Sequence, residues 1–183
     1  DLERKLEELY GADIDGGVLK KGENQLIGFH MSHISDNFTS GNEKLFDECS
    51  ELLMCILKNP MLEGDGFKKS LFKKEWDNLI DYIRSRINNK MRFSLLRCIE
   101  EMCADEPFAI ADEGSEKDAM LLNPQNTLAL YNEMLHSYPL YVYITGPVDD
   151  SSIHKLIDDF SAIERGDIKP LKPTGVEKAV IEV

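Results

Sequence analysis

The amino-acid sequence predicts an α+β fold in which several helices pack on a mostly antiparallel sheet. Hydrophobic residues make up 42% of the 183-residue chain, which is enough for a buried core. Apolar residues recur at helical spacing in several long segments. Two β-type segments near the start are joined by a turn sequence, and no alternation of strands and helices of the doubly wound type follows them.

The first predicted elements are a short helix and a hairpin. Leucines at helical spacing in residues 2–9 predict a helix that ends at Gly11. Residues 12–20 and 25–34 are typical of extended strands. The intervening turn, residues 21–24, contains a glycine and an asparagine that tolerate positive φ, so the two strands should pair antiparallel.

Three long amphipathic helices follow in the middle of the chain. Residues 45–57 form the first, which Asn59-Pro60 ends; residues 66–86 form the second, and residues 88–103 the third. The residues expected to face the core include Leu45, Cys49, Phe72, Trp76, Ile80, Leu95, Ile99 and Met102.

The last third of the sequence predicts helices and one strong strand. A short helix follows Gly114 and continues to Leu122, and a second covers residues 123–138, because its Asn-Pro start suits a first helical turn. The residues Leu140–Thr145 alternate β-branched and aromatic side chains and predict the strongest strand of the chain. Residues 149–152 supply an N-cap for a final helix that continues to about residue 163.

The two ends of the chain suggest a segment of a longer protein. Asp1 precedes a helical pattern directly, and the valines and isoleucine within residues 176–183 are typical of a strand. Residues 165–175 are rich in Gly, Lys and Pro, as linkers are. We therefore expect a truncated domain over residues 1–164, and a linker with the start of the next strand over residues 165–183.

Charge and cysteine usage restrict the partners and the compartment. The formal net charge of −13 argues against nucleic acid or an anionic membrane surface as partner, since both require a positive field. No apolar run is long enough to cross a bilayer. The four cysteines form no CxxC and have no histidine at metal-finger spacing, and Cys49 and Cys103 lie on apolar helix stripes. Reduced thiols packed in a core, and a cytoplasmic protein, are expected.

Catalytic motifs do not stand out. His30 and His33 should point to opposite faces of a strand, and His136 and His154 have no partner near in sequence. The sequence contains no HxxEH, GxSxG, GxGxxG or P-loop. Composition and spacing alone predict a soluble α+β domain without an assigned function.

Several distributed features nevertheless resemble one family. They are Leu9-Tyr10-Gly11-Ala12 before the hairpin, Leu57-Lys58-Asn59-Pro60, Phe72-Lys73-Lys74-Glu75, Asn88-Asn89-Lys90-Met91-Arg92-Phe93-Ser94, and Gly146-Pro147 before an acidic cap. Together they resemble the pitrilysin/insulinase superfamily, to which mitochondrial processing peptidase belongs, and most closely a bacterial branch of predicted zinc-dependent peptidases. The resemblance covers most of residues 1–164. It implies a LuxS/mitochondrial-processing-peptidase-like half-domain that lacks its first strands and helix.

The resemblance also implies where zinc would bind. Family members hold zinc with an HxxEH helix, which here would lie before Asp1, and with a glutamate on a later helix. Active members commonly carry two glutamates seven residues apart on that later helix, the second being the ligand. Glu75 matches the first, but Tyr82 occupies the second position, with Asp81 beside it. No catalytic residue and no zinc site are therefore expected in this segment, with Glu75 and Asp81 as weak metal candidates and zinc restricted to a full-length protein.

The resemblance implies a peptide-binding edge as well. In active relatives an edge strand pairs with the substrate through backbone hydrogen bonds. Ala12, Asp13, Ile14 and Asp15 occupy the corresponding place. The alternative, which we favour, is an ordinary edge strand protected from other chains by its aspartates and glycines.

Three functions remain open at this point. The first is a non-catalytic scaffold or partner subunit of a zinc-peptidase assembly, which Tyr82 favours. The second is the N-terminal half of an active zinc peptidase with its HxxEH upstream. The third is an unrelated cytoplasmic interaction domain. The implied partners are a second half-domain of the same chain, a paralogous peptidase subunit and a peptide substrate.

Overall fold

A computed structural model describes residues 2–39, 41 and 43–171, and it has the predicted mixture of helices and antiparallel strands. Three 3₁₀ turns, Asp36–Phe38, Arg86–Asn88 and Pro107–Ala109, connect these elements. The helices and strands, in chain order, are α1 (Leu2–Glu8), β1 (Asp13–Lys21), β2 (Asn24–Ser32), α2 (Leu45–Lys58), β3 (Leu62–Glu63), β4 (Gly66–Phe67), α3 (Lys69–Ser85), α4 (Lys90–Met102), α5 (Glu116–Ala119), α6 (Pro124–Ser137) and α7 (Asp150–Ser161).

The junction between α1 and β1 is a tight turn that places Leu9 in the core. Tyr10 and Gly11 both have positive φ, of 58° and 71°. The amide of Gly11 donates to the carbonyl of Leu6 at 3.0 Å, which closes the end of the helix. Positive φ is costly for a tyrosine, and its hydroxyl offsets part of this cost by donating to Glu43 at 3.0 Å.

The predicted hairpin is confirmed. β1 and β2 pair antiparallel over their full lengths, from Asp13 opposite Ser32 to Lys21 opposite Asn24. Gly22 has a φ of 58° in the two-residue turn, a conformation that a glycine adopts without strain. The single mostly antiparallel sheet, however, is not formed within the described residues: β3 and β4 make a separate two-stranded sheet.

The core lies between the start of the hairpin and α2. Leu9, Ala12, Leu45 and Cys49 form one buried cluster, against which Met31 and other apolar side chains pack. α7 packs on another part of α2, and Leu156 of α7 is buried. Lys155 Nζ joins the two helices by an ion pair with Glu51, at 2.6 Å.

The helix predicted to start at Gly66 starts at Lys69 instead. Gly66 and Phe67 form β4, because this segment turns back on β3. A Cβ added to Gly66 would lie 2.9 Å from the carbonyl carbon of Pro124, so the close approach of α6 requires a glycine here. The ring of Tyr131 on α6 packs edge-on against Phe67, with 5.8 Å between centroids.

The predicted inward face of α4 is partly wrong. Leu95 is 60% exposed and Met102 is 78% exposed. Cys98 and Cys55 are exposed too, so only part of the cysteine prediction holds: Cys49 is buried, and all four thiols are free. The periodicity identified an apolar stripe correctly, but the described part of the chain does not cover it.

The strongest predicted strand is not formed. Leu140–Thr145 runs without helix, turn or bend, but it pairs with no strand among the described residues. A strand exists only where a neighbour accepts its backbone hydrogen bonds, and sequence propensity cannot supply that neighbour. Gly146, at a φ of 132°, ends the straight segment as the sequence predicts.

Two further predictions fall at the end of the chain. The predicted strand at residues 176–183 lies outside the described residues, and the division at residues 164 and 165 stays a prediction. Residues 165–171 have no regular secondary structure. None of the described helices combines the length and the apolar character needed to cross a bilayer.

Burial is uneven across the described residues. Ten hydrophobic residues are buried, whereas thirty-one large hydrophobic side chains are exposed. Isolated exposed apolar residues are normal in proteins, but contiguous ones indicate a surface that another element covers.

Candidate functional site

The exposed face of α3 carries the residues that the resemblance assigns to a metal site. Glu75 and Tyr82 are seven positions apart, so they differ by only about 20° around the helix and share one face. Both side chains are exposed, and Glu75 Oε2 accepts a hydrogen bond from Asn78 Nδ2 at 3.3 Å. The two-turn spacing that the resemblance implies is therefore present on one face of α3, with a phenol at the second position.

Asp81 lies on another side of α3. Six positions separate it from Glu75, a rotation of about 240°, so the two carboxylates do not converge. Asp81 instead lies near enough to Arg84 for their charges to interact, and the guanidinium of Arg84 contacts Glu116 of α5 at 2.5 Å. The hydrogen bond to Glu116 and then the charges of Glu116 and Asp81 raise the pKa of Arg84, and the same hydrogen bond lowers the pKa of Glu116. This group fastens α5 to α3.

No metal site is assembled from the part of the chain that the structure describes. Within it, no three His, Cys, Asp or Glu side chains come together in a way that could hold a metal ion. His30 and His33 were expected on opposite faces of one strand, but only His30 lies on β2, opposite Asp15; His33 lies beyond the end of β2, near the ring of Phe46. The roles of Glu75 and Asp81 as weak metal candidates stay predictions.

The predicted peptide-binding edge is the start of β1. Ala12 is buried in the core, whereas Asp13, Ile14 and Asp15 pair with β2 through Ser32, Met31 and His30. Among the described strands β1 has this one neighbour, so its other edge faces away from β2. Asp15 Oδ1 accepts the amide of Gly16 at 2.8 Å, which holds the carboxylate close to the strand. Peptide binding at this edge stays a prediction.

A polar cluster at the hairpin tip was not predicted from the sequence. Lys20 Nζ donates to the carbonyls of Phe108 at 2.9 Å and Ile110 at 2.7 Å, and it lies 4.5 Å from the centre of the Phe108 ring. Gln25 Nε2 donates to the carbonyl of Asp112 at 2.7 Å. These bonds fix the far end of the hairpin to the loop that follows α4.

Two arginines hold the other side of that loop. Arg86 Nη2 donates to the carbonyl of Gly114 at 2.7 Å, and Arg92 Nη2 lies 3.4 Å from Glu113. The arrangement is a structural clamp, since Arg86 binds a backbone carbonyl and both arginines form ion pairs with the Glu113 carboxylate. The signal in the sequence was weak: a lysine in a strand and an arginine at a helix end have many other uses.

Comparison with known proteins gives one curated relative. No protein-family profile matches the chain. The chain is 29% identical over 163 residues to a Bacillus subtilis (strain 168) protein named "Probable inactive metalloprotease YmfF", which covers 89% of this chain. This similarity supports a metalloprotease-like family. The chain spans 38% of the length of that relative.

A solved structure supports the fold. A conserved protein from Enterococcus faecalis V583 superposes with a TM-score of 0.82 over 98% of this chain, at 21% identity. The α+β class is confirmed by this agreement. The chain spans 43% of the length of the Enterococcus faecalis protein in that structure. The curated relative supports a metalloprotease-like family and the solved structure supports the fold, and in both of them the matching region is part of a longer polypeptide.

Proposed function

We propose that this chain is a segment of a non-catalytic member of the pitrilysin/insulinase superfamily, in its bacterial branch, which acts as a scaffold or partner subunit in the cytoplasm. The similarity to a probable inactive metalloprotease along 89% of the chain carries the proposal. The family placement rests in addition on the resemblance of the motifs from Leu9 to Pro147.

The exposed face of α3 supports the absence of catalysis. Zinc ligands in peptidases are His, Cys, Asp and Glu, whereas a tyrosine phenol is ordinarily protonated at neutral pH. Tyr82 lies on the same face as Glu75, where the resemblance implies a carboxylate. Asp81, the nearest carboxylate in sequence, lies beside Arg84 and is turned away from that face.

The first test is made on the full-length protein, purified without added metal. We expect less than about one zinc per ten chains by elemental analysis, and no chelator-sensitive cleavage of quenched peptides. About one zinc per chain with cleavage would overturn the proposal in favour of an active peptidase. In that case, loss of zinc in Glu75→Gln or Asp81→Asn would identify the unusual third ligand.

A matched pair of variants tests the role of Tyr82 directly. Tyr82→Glu restores a carboxylate on the α3 face, and Tyr82→Phe removes the phenol hydroxyl without adding one. If a histidine pair upstream is intact, the glutamate variant should gain zinc and the phenylalanine variant should not. Equal zinc binding by the unaltered protein and by both variants would show that position 82 does not decide metal binding.

The 183-residue chain by itself is expected to be inactive. General-base hydrolysis by zinc needs three protein ligands, a metal-bound water and a carboxylate beside it. The sequence contains no HxxEH to supply them. Chelator-sensitive cleavage by the pure chain would contradict this expectation, whatever the full-length protein does.

A further inference from the structure

Helix α4 carries an apolar stripe that the described part of the chain leaves uncovered. Its members lie within about 60° of one another around the helix, and they are Met91, Leu95, Cys98 and Met102. Met91 is 84% exposed, Leu95 is 60% exposed and Met102 is 78% exposed. Cys98 is exposed as well, and its Sγ lies 3.4 Å from Sδ of Met102. The four side chains therefore form one apolar surface.

Another side of α4 holds the helix in the fold. Phe93, Leu96 and Ile99 are half-buried, and α4 contacts the 3₁₀ turns before and after it, Arg86–Asn88 and Pro107–Ala109. The stripe is therefore not used for packing within the described residues. Its members follow one another at spacings of four, three and four positions, which is the pattern by which helices pack side by side in coiled coils. This spacing indicates another helix as the occupant.

The charges beside the stripe oppose the dipole of the helix. Lys90 is the first residue of α4, and Glu101 lies in its last turn. A helix favours acidic side chains at its start and basic ones at its end, so both charges are unfavourably placed within α4 itself. They are eleven positions apart, a rotation of only about 20°, and each directly precedes a methionine of the stripe. Both are exposed and lie on the same side of the stripe.

An antiparallel pair of α4 helices would bring these opposite charges together. With a two-fold axis at the middle of the stripe, Met91 of one copy lies opposite Met102 of the other, and Leu95 lies opposite Cys98. The same rotation brings each side of one helix against the same side of the other, so Lys90 of each copy lies near Glu101 of the second copy. Charges that are unfavourable within one helix become favourable between two.

We propose that a second copy of the same protein covers the stripe of α4, in an antiparallel helix pair with two-fold symmetry. A covering segment of the same polypeptide would not require the two ends of α4 to be complementary to each other, whereas a two-fold contact does. The net charge of −13 does not oppose the contact locally, because α4 carries three basic and two acidic side chains. The inference goes beyond the proposed function, since it does not depend on whether the protein binds zinc.

The size of the contact predicts a weak dimer. α4 has 13 residues and is about 20 Å long, so one helix pair buries less than the roughly 800 Å² per partner of a standard interface. We therefore expect a dissociation constant on the order of 10 μM. Below about 1 μM the protein should be a monomer with an uncovered stripe.

A matched pair of charge variants tests the inference in the full-length protein. Lys90→Glu and Glu101→Lys each place like charges at both ends of the helix pair. Sedimentation velocity across a concentration series should show that each raises the dissociation constant at least about 10-fold. An equimolar mixture of the two variants should pair again, because acid then faces base at both ends. Both changes agree with the macrodipole, so neither should lower Tm by more than about 2 °C.

Cross-linking gives a second readout at the position of the contact. In the antiparallel pair the two Cys98 thiols lie close to the two-fold axis, so a short bismaleimide should join two copies. Cys98→Ser should abolish the linked dimer. Cys55→Ser, which removes the exposed thiol of α2, is the control and should leave the linked dimer unchanged.

Three outcomes would overturn the inference. A monomer at every concentration would exclude a second copy, and protection of Cys98 from alkylation in that monomer would identify the same polypeptide as the cover. A dimer that neither charge variant weakens would place the contact on another surface. Variants that stay monomeric when mixed would exclude the antiparallel arrangement. A zinc-containing, active protein that pairs as described would overturn the proposed function and support this inference.

Discussion

The helices α2 and α4 are nearly equal in length and in amphipathic character, and yet they differ completely in burial. α2 has 14 residues and buries Leu45, Cys49, Met54 and Leu57. α4 has 13 residues and buries none against the described part of the chain. Met91, Leu95, Cys98 and Met102 form a stripe at helical spacing on α4, and all four are exposed.

The difference shows what an apolar stripe predicts. The stripe indicates that a helix face will be covered, and it does not indicate which element covers it. For α2 the covering elements are the start of the hairpin and α7. For α4 and for Leu140–Thr145, no such covering element is found among the described residues.

The largest expected effect is on the free energy of unfolding. Leu45 is 1% exposed, so Leu45→Ala leaves a cavity in the core and should lower that free energy by about 2–5 kcal/mol. Leu95→Ala is the matched change on α4 and should cost less than about 1 kcal/mol in the 183-residue chain. Urea denaturation measures both. Equal losses would mean that the stripe of α4 is covered in this chain.

The next effect concerns one thiol on each helix, Cys49 on α2 and Cys98 on α4. Burial, followed by the charges of Glu48 and Asp36, raises the pKa of the Cys49 thiol to about 11, whereas Cys98 is exposed. At pH 8, Cys49 should react with iodoacetamide about 100-fold more slowly than Cys98, since the thiolate is the nucleophile. Mass spectrometry of the labelled peptides gives the two rates. Similar rates in the native chain would contradict the burial of Cys49.

For the helix caps, we expect the larger loss in the free energy of unfolding on α4 and the smaller one on α2, the opposite of the order expected for the core variants. Asn89 accepts the amide of Arg92 at 3.1 Å at the start of α4, whereas Lys44 makes no side-chain cap at the start of α2. Asn89→Ala should therefore cost about 1 kcal/mol, and Lys44→Ala should stay within about 0.5 kcal/mol of the unaltered chain. Urea denaturation measures the change in the free energy of unfolding for both variants. A larger loss for Lys44→Ala would show that its ion pair with Asp47 matters more than a cap.

The smallest effect is the pH dependence of the helix that covers α2. Hydrogen bonds from Ser151, and then from Ser152, lower the pKa of the Asp149 carboxyl to about 2. Because this value lies below that of the unfolded chain, the cap stabilises the fold above about pH 4, and its contribution is lost as the pH falls towards 2. Asp149→Asn should thus differ most from the unaltered chain near neutral pH and converge with it in acid. Asp150→Asn is the control, and a difference that grows in acid would contradict the sign.

The sequence specified local structure far better than it specified neighbours. The hairpin turn, the cap at Asp149 and the ends of α2 and α6 follow from residue chemistry within a few positions, so they could be predicted. The extended turn at Gly66 could not, because its cause is the close approach of Pro124. The exposure of Leu95 and the unpaired state of Leu140–Thr145 depend on elements that local periodicity does not contain.

In the candidate site, too, the sequence predicted the local spacing of residues but not their neighbours in space. The shared helix face of Glu75 and Tyr82 could be predicted from the sequence, because seven helical positions bring two residues to one face. The neighbour of Asp81 was not predicted, although Arg84 lies on the next turn. The Lys20 cluster was missed altogether, since its partners lie in a loop that follows α4.

The bond from Lys20 to Phe108 has a consequence for the order of folding. It joins residues 88 positions apart, so we expect it to close after α2, α3 and α4 have formed. A hairpin by itself closes within about 1–10 μs, so we expect docking of its tip to be a later and separate step. Loosening this contact should therefore speed unfolding and leave the folding rate almost unchanged.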